Sequence, residues 1–429
     1  MAGTTVASLN GVFKQAYAEG IEDLIPKSSI LQKEIDFKLG TEKLGDKFNQ
    51  PVVVANELGI TFGGSAGSAF NLNNPISVST QNALVPGVSM VLRSSLSYDA
   101  AAKASSNVNA FVDSTSFQME NMVESMSKFV EIELIYGSSV FGLGTLASVT
   151  YAGSPATTAT LTFNAQQWAA GIWSGFENGL VDIFAGSSSG VTGSSPLNSV
   201  GPITVTAVSV ASKTLTVSGA AADLVAIAAS ATNAVVYFYG AFGNEIQGLD
   251  YLISTVGTVN NINNVTWNLW QGNVYNVGNV GLTTALVGSG LALAQARGLM
   301  EDTMQIISPA SWVNLNTSLV TNNRKFDYKY STAKAEDGSE VIQYYTQSGV
   351  VDIHSHIYVK EGESYNLPTK RAKRIGAQDI SFQIPGSTEG EIFLQLPNAA
   401  GFEYRLYTNQ GMLLTKPAAC TKFYNIAAV

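Results

Sequence analysis

Phe117-Gln118-Met119-Glu120-Asn121-Met122-Val123-Glu124-Ser125-Met126-Ser127-Lys128-Phe129-Val130-Glu131-Ile132-Glu133-Leu134-Ile135-Tyr136-Gly137 carries the clearest helical period in a chain that otherwise reads largely as strands and turns. Met119, Met122, Val123, Met126, Phe129, Val130 and Leu134 recur mainly at spacings of three and four, the pattern of one helix face. Glu120, Glu124, Lys128 and Glu131 fall mainly off that stripe, and Glu124–Lys128 is a favourable i,i+4 pair. The pattern predicts one long helix over 106–136, on the order of 45 Å at 1.5 Å per residue. Gly137 is expected to end it as a C′ glycine. The methionines read as core packing, not as a cofactor box.

Upstream, Phe48 to Val54 ends in three valines, and Leu84 to Leu96 is a second apolar-rich run. Between them lie Gly59-Ile60-Thr61-Phe62-Gly63-Gly64-Ser65-Ala66-Gly67 and then Asn71 to Pro75. Two extended segments flanking a glycine-rich tip predict a two-stranded arm over 48–97. A lone ribbon is marginal in water, so it needs a neighbour or its own domain to lie on. Residues 1–47 interleave charges with short apolar groups such as Val12-Phe13 and Leu24-Ile25. They read as an arm with one short helix. Ordering such an arm costs entropy that only burial against something else offsets.

Downstream, the block 139–243 holds four charged residues, Glu177, Asp182, Lys213 and Asp223. Strand signals at Thr158–Phe163, Ile203–Val210, Thr214–Val217 and Ala234–Tyr239 predict a small β-rich, barrel-like domain. From 244 on, helical and strand signals alternate. They include a helix over Leu282–Arg297, and a strand Met304–Ile307 leading to a helix capped by Ser308 with Pro309 at its first position. Strands are expected at Val341–Tyr345, Val350–Val359, Asp379–Ile384, Glu391–Leu396, Glu403–Leu406 and Gly411–Tyr424. A strand pair, a long helix, a β block and then mixed elements argue for an α+β fold.

Composition limits the function classes. The 429 residues are 45% hydrophobic and only 13% charged, where ordinary soluble domains carry roughly 25% charge. Such a surface suits coverage by partners, or the neutral polar face of a β-rich extracellular protein. A net charge of −9 argues against a broad grip on nucleic acid and leaves only local contact with DNA. The single cysteine, Cys420, excludes an intrachain disulfide and reads as a small buried hydrophobe. The start Met1-Ala2-Gly3-Thr4-Thr5-Val6 lacks the pattern of a signal peptide. Leu224 to Asn244 reads as a short helix or turn plus a buried strand, not a membrane span.

The order of parts resembles the major capsid fold of tailed bacteriophages, the Hong Kong 97 fold. Glu133-Leu134-Ile135-Tyr136-Gly137-Ser138 is similar to the end of that family's spine helix. Glu245-Ile246-Gln247-Gly248-Leu249 is similar to the segment that follows directly in members without an insertion; here the 139–243 block separates them. Ile306-Ile307-Ser308-Pro309-Ala310-Ser311-Trp312 is similar to the axial strand-to-helix step. Lys416-Pro417-Ala418-Ala419 followed by Phe423-Tyr424-Asn425-Ile426 is similar to the closing peripheral strand. The resemblance implies an N-terminal arm (1–47), an extended loop (48–97), a spine helix with the start of the peripheral domain (98–138) and an inserted β-rich domain (139–243). It further implies a peripheral continuation (244–270), an axial domain (271–385) and C-terminal peripheral strands (386–429). It implies a subunit that assembles as pentamers and hexamers of an icosahedral shell around phage double-stranded DNA. The expected place is the virion, with assembly in the bacterial host cytoplasm. Expected partners are further copies, a scaffolding protein, a portal, a decoration protein and non-specifically contacted DNA, with no membrane. The family's Lys–Asn crosslink finds no matching positions, so none is expected.

Chemistry is sparse. His354 and His356 alternate in the expected strand, with Asp352 on the same face, but two histidines in a plain strand read as structural, and no metal is expected. No Gly-x-Ser-x-Gly elbow presents a nucleophile, and the 59–67 segment lacks a P-loop ending. No catalytic residue and no cofactor are expected. The candidate inter-subunit contacts are the loop-tip glycines Gly63, Gly64 and Gly67 and the basic run Lys370, Arg371, Lys373 and Arg374. An acidic patch on another copy suits that run better than DNA does, given the overall charge. Alternative readings are an encapsulin-like compartment shell and a secreted surface-layer or adhesin protein.

Overall fold

The structure, a computed structural model, describes residues 28–39, 47–65, 67, 69–97, 114–153, 157–321, 330–331, 334–335, 342–347, 349–384, 392, 394–396 and 400–428. The long helix runs Ser114–Tyr136 over 23 residues, about 35 Å at 1.5 Å per residue. Positions 106–113 of the expected helix lie outside the described residues, as do 1–27 of the arm. Met122, Met126 and Val130 are buried, and Met119 and Phe129 pack against the same core. Val123 departs from the expected stripe and faces solvent. From Glu131 to Gly137 every residue is buried; the last turns are enclosed on all sides, so Glu131 and Glu133 are interior, not surface, carboxylates.

Gly137 follows the helix, but for a different reason from the one expected. The left-handed residue is Ser138, at φ 59°. Gly137 is required by close approach, since a Cβ there would sit 2.1 Å from the carbonyl oxygen of Ile246.

Three sheets surround this helix. In the first, Gly401–Leu414 is central and pairs antiparallel with Ala372–Ser381, Leu394–Gln395 and Val88–Ser97, while Phe37–Leu39 adds in parallel to Ala372–Ser381. The second runs in the order Asn273–Val280, Thr421–Ile426, Ser364–Leu367, Thr303–Ile307, Gly349–Ser355, Ile342–Thr346. Helices Thr284–Ala296 and Pro309–Thr321 share its core through Val287, Leu291, Ala294 and Leu315, packed with Ile307, Ile353 and Phe423. Ser308 caps the second of these, its Oγ accepting the Ser311 N–H at 3.2 Å.

The third sheet spans Gly144–Ala152, Thr158–Phe163, Leu180–Ser187, Gly190–Pro196, Ile203–Ser209, Thr214–Ser218 and Val235–Phe238. It closes into a barrel because Val235–Phe238 pairs with both Gly144–Ala152 and Leu180–Ser187. Closure removes most edges from a charge-poor sheet that would otherwise invite unwanted pairing. The stretch Leu224 to Asn244 is a helix, Ala221–Ala229, followed by the buried strand Val235–Phe238. Among the described residues, no helix is long and apolar enough to cross a membrane.

The sheets divide the chain differently from the boundaries at 271–385 and 386–429. Ala372–Ser381 belongs with Gly401–Leu414, and Thr421–Ile426 lies between Asn273–Val280 and Ser364–Leu367. Strands group by hydrogen-bond partner, and the turn Pro417–Ala419 carries the chain from one sheet to the other. The expected single strand Gly411–Tyr424 is split by that turn.

Candidate assembly surface

The arm has a fixed root and an uncovered tip. Lys47–Ala55 pairs antiparallel with Ser79–Pro86, from Lys47 opposite Pro86 to Ala55 opposite Ser79. The second strand stops there because Pro86-Gly87 breaks the run, and Val88–Ser97 joins the body sheet beside Gly401–Leu414. The ribbon is therefore shorter than 48–97. Its root is buried through Ala83 and Val85, packed with Ile262, Trp270, Ile375 and Leu413.

Beyond Ala55 the chain leaves regular pairing. Leu58 and Ile60 are over 60% exposed, Phe62 is 89% and Leu72 80% exposed, and Phe70 and Ile76 are more than half exposed. The crossing is held by a few polar contacts: Asn73 N–H donates to Thr61 Oγ1 at 2.8 Å and Asn73 Nδ2 to the Ile60 carbonyl at 2.9 Å. Gly64 and Gly67 take the left-handed conformation at φ 67° and 66°, while Gly63 lies against the Phe70 ring. The glycines shape the tip, and large apolar side chains lie exposed around them.

The basic run is not one patch. Thr369–Arg371 is a short turn and Ala372–Ser381 a strand, so successive side chains diverge. Lys370 and Arg371 are exposed, and Lys373 is half-buried. Arg371 makes a bidentate pair with Glu301, its Nε donating at 2.8 and 3.0 Å, which holds the Glu301 carboxyl below the usual range. Arg374 differs from the expectation of a contact residue, being only 5% exposed. Its Nε donates to the Ile35 carbonyl at 2.9 Å, Nη2 to the Gln32 carbonyl at 3.2 Å and Nη1 to Gln410 Oε1 at 3.2 Å.

Arg374 is one end of a clamp on the segment Ile30–Leu39. The other end is Glu131, fully buried on the long helix. Its Oε1 accepts the Leu31 N–H at 2.7 Å and its Oε2 the Gln32 N–H at 3.1 Å. A carboxylate thus meets the free N–H groups at the start of the short helix Ile30–Glu34, and a guanidinium meets the carbonyls at its end. Leu31 and Ile35, both fully buried, plug the segment into the core. No periodicity in the sequence marks Glu131 or Arg374 for this role; a charged residue beside a fully apolar helix turn was the available hint.

The histidines do not act together. The strand ends at Ser355, short of the expected Val359, so His356 leaves the face shared by Asp352 and His354. His356 is fully buried with its Nε2 2.9 Å from Glu131 Oε1, and its Nδ1 accepts the Tyr358 N–H at 3.2 Å. With Nδ1 accepting, the Nε2 proton is the one shared with Glu131. Among the described residues, no group of three or more His, Cys, Asp or Glu side chains is placed to hold a metal.

A second polar core joins the barrel to the body. Lys422 pairs with Asp250 and lies 3.3 Å from Glu363 Oε1. Tyr365 OH lies 2.8 Å from Asp250 Oδ1 and 2.9 Å from Glu363 Oε2, with its one proton to share between them, and Ser139 Oγ donates to Asp250. Lys360, fully buried, donates to the Gly142 carbonyl at 2.9 Å and lies 4.2 Å from the Tyr136 ring centre. The lysines hold the Asp250 carboxyl well below its usual range despite burial, at about 2. Burial pushes the Cys420 thiol up to about 12, which makes it an inert core residue.

A two-stranded ribbon, a long helix and two body sheets, with a clamped N-terminal segment, make a fold of the Hong Kong 97 type. Among solved structures, the chain is similar to the capsid asymmetric unit of cyanophage A-1(L), with a TM-score of 0.57 at 10% identity, covering 99% of each chain. It also resembles the capsid of an empty GTA particle (TM-score 0.49, 9% identity, 100% of both chains). The holo-SrpI encapsulin complex from Synechococcus elongatus PCC 7942 follows at 0.44 and 9%, covering 100% of this chain and 98% of that one. The first of these carries the fold. No family model matches the sequence, and no curated protein matches it.

Proposed function

We propose that this chain is the major capsid protein of a tailed bacteriophage, assembling as pentamers and hexamers of an icosahedral shell around double-stranded DNA. One observation carries the reading: six large apolar side chains of the arm, Leu58, Ile60, Phe62, Phe70, Leu72 and Ile76, lie exposed on a single copy. Burying them against identical molecules provides a repeated, symmetric interface. Lys370 and Lys373 suit an acidic patch on a neighbour, in keeping with the chain's net charge of −9. The barrel within 139–243 is read as an insertion. Its two ends meet where the Gly248 N–H donates to the Gly137 carbonyl at 2.9 Å, so the excursion leaves and rejoins the body at one point. Scaffolding, portal and decoration proteins, and assembly in a bacterial cytoplasm, go with this reading.

Replacing residues 56–78 by a two-residue Asn-Gly turn between the paired Ala55 and Ser79 keeps the root and removes the tip. The expected outcome is a folded, soluble subunit that makes no closed particles in electron micrographs, where the full chain does. Normal shells from the shortened chain would remove the basis of the proposal. Particles from the native host should protect double-stranded DNA from nuclease; protein cargo in its place would favour the compartment reading.

A further inference from the structure

An open cleft of about 650 Å³ lies between the barrel and the six-stranded sheet, within the roughly 300–1,000 Å³ of small-molecule sites. Amide side chains dominate its walls. Asn164, Gln166, Gln167 and Asn233 come from the barrel block, and Asn279 and Asn425 from the two neighbouring strands Asn273–Val280 and Thr421–Ile426. The hydroxyls of Ser187 and Ser188 and the half-buried Phe141 ring add to them. Among the described residues, no Asp, Glu, Lys, Arg or His lines the cleft. Ligand pockets are mostly apolar with a few polar groups; this one is mostly polar and carries no charge.

The amides are held in place by one another. Gln166 Nε2 donates to Asn279 Oδ1 at 2.9 Å and to Asn425 Oδ1 at 3.1 Å, and Asn425 Nδ2 donates to Asn276 Oδ1 at 2.9 Å. Asn164 Nδ2 donates to Thr145 Oγ1 at 2.7 Å. This chain ties the barrel to the body. It leaves Gln166 Oε1, Asn279 Nδ2 and the whole Asn233 amide without a hydrogen bond to any described residue. Gln166 and Asn233 are half-buried and Asn279 is exposed, so these groups are open to a molecule in the cleft. Asn233, Asn279 and Asn425 also hold left-handed backbone, at φ 61°, 57° and 59°. Glycine adopts that conformation at no steric cost, so the turns alone do not call for an amide.

We propose that this cleft binds a neutral oligosaccharide. Each sugar hydroxyl both donates and accepts, and each amide offers two donors and an acceptor in fixed directions. A pyranose also has an apolar C–H face, for which Phe141 supplies an aromatic wall. With no cation on the walls, a phosphate or an acidic sugar would give up its hydration for no ion pair. Bound peptides are selected by pockets for their side chains, and this cleft offers hydrogen-bonding walls in place of such pockets. The site stands on its own chemistry, whether or not the chain builds a shell.

The test is saturation-transfer NMR on the full chain with neutral trisaccharides of glucose, mannose, galactose and N-acetylglucosamine. Trigalacturonate and trialanine serve as the acidic and peptide comparisons. The expected result is transfer to at least one neutral trisaccharide and little to either comparison. Asn233→Gly and Asn279→Gly keep the left-handed backbone and remove one amide each. Each should weaken binding about tenfold or more, as losing a hydrogen bond in a ligand site does, with Tm near that of the parent. Asn178→Gly makes the same change at a left-handed asparagine outside the cleft, at φ 67°, and should bind as the parent does. No transfer to any neutral trisaccharide, or binding undiminished in both cleft variants, overturns the site. Stronger transfer to trigalacturonate or trialanine overturns the sugar class. The unmodified chain decides the matter even if a variant fails to fold.

Discussion

At the scale of single residues, the fold depends on charges placed inside it. Glu131 and Arg374 hold opposite ends of the segment Ile30–Leu39 through its backbone. Glu131→Gln should cost roughly 1–3 kcal/mol, the range for leaving a buried hydrogen-bonding group unsatisfied, and Arg374→Met a similar amount. Because each variant frees the same segment, the double variant should cost less than the sum. Denaturant titration checks the totals, and hydrogen exchange at Leu31 and Gln32 should accelerate in either single variant. Full additivity would mean that the two ends dock independently. Lys128 makes the opposite kind of contribution. Burial pushes its ammonium down from 10.5 to about 8, against a weaker pull from Glu177, while its Nζ donates to the Ser174 carbonyl at 2.9 Å. The folded pKa lies below the unfolded one, so the unfolded chain holds this proton more tightly. Stability from this group therefore rises as pH climbs from 8 to 10.5 and is lowest below 8. Lys128→Met should raise Tm at pH 7, and its advantage should shrink above pH 10.5; an advantage that does not change with pH would assign the gain to packing alone.

At the scale of elements, local pattern was legible and long-range pairing was not. The spacing of Met122, Met126 and Val130 gives the helix, and Ser308-Pro309 gives the start of another, because both signals lie within a few turns. The ribbon's register and the division of strands between sheets were not readable. Pro86-Gly87 marks a break, but only the partner strand Gly401–Leu414 shows where Val88–Ser97 goes. The neck of the barrel shows the same limit. Gly137 reads as a helix-ending glycine, yet the left-handed residue is Ser138 and the tight approach is to Ile246, distant in sequence. Two neighbouring substitutions separate these roles. Gly137→Ala drives a methyl into a backbone carbonyl that cannot withdraw, and should cost on the order of 1–3 kcal/mol or more, as overpacking does. Ser138→Gly relieves the left-handed strain of a residue with a Cβ and should stabilise by up to roughly 1 kcal/mol. Paired melting curves check both signs, and a tolerated Gly137→Ala would show that the neck can open.

At the scale of the whole molecule, the proposed contact surface depends on what the fold leaves uncovered. A glycine-rich tip between two apolar runs pointed to the arm, but the exposure of Phe62 and Leu72 follows only from what the rest of the chain leaves uncovered. That exposure sets the physics of association. The chain is 13% charged with a net charge of −9, so on the proposed reading copies repel one another weakly and attract through apolar area. Salt screens repulsion between exposed charges more than about 8–10 Å apart at ordinary ionic strength and leaves apolar burial intact. Apolar association also weakens on cooling, because near room temperature its driving force is entropic. Subunits should therefore assemble at least as well in 1 M NaCl as in 0.1 M, and less well at 4 °C than at 25 °C, as read by sedimentation of the same preparation. Phe62→Ser with Leu72→Ser should lower the assembled fraction at every salt concentration while leaving the subunit's melting temperature near that of the parent, since neither side chain is buried within one copy. Particles that dissolve in high salt, or that ignore the double substitution, would place the interface on ion pairs such as those open to Lys370 and Lys373 instead of on the arm.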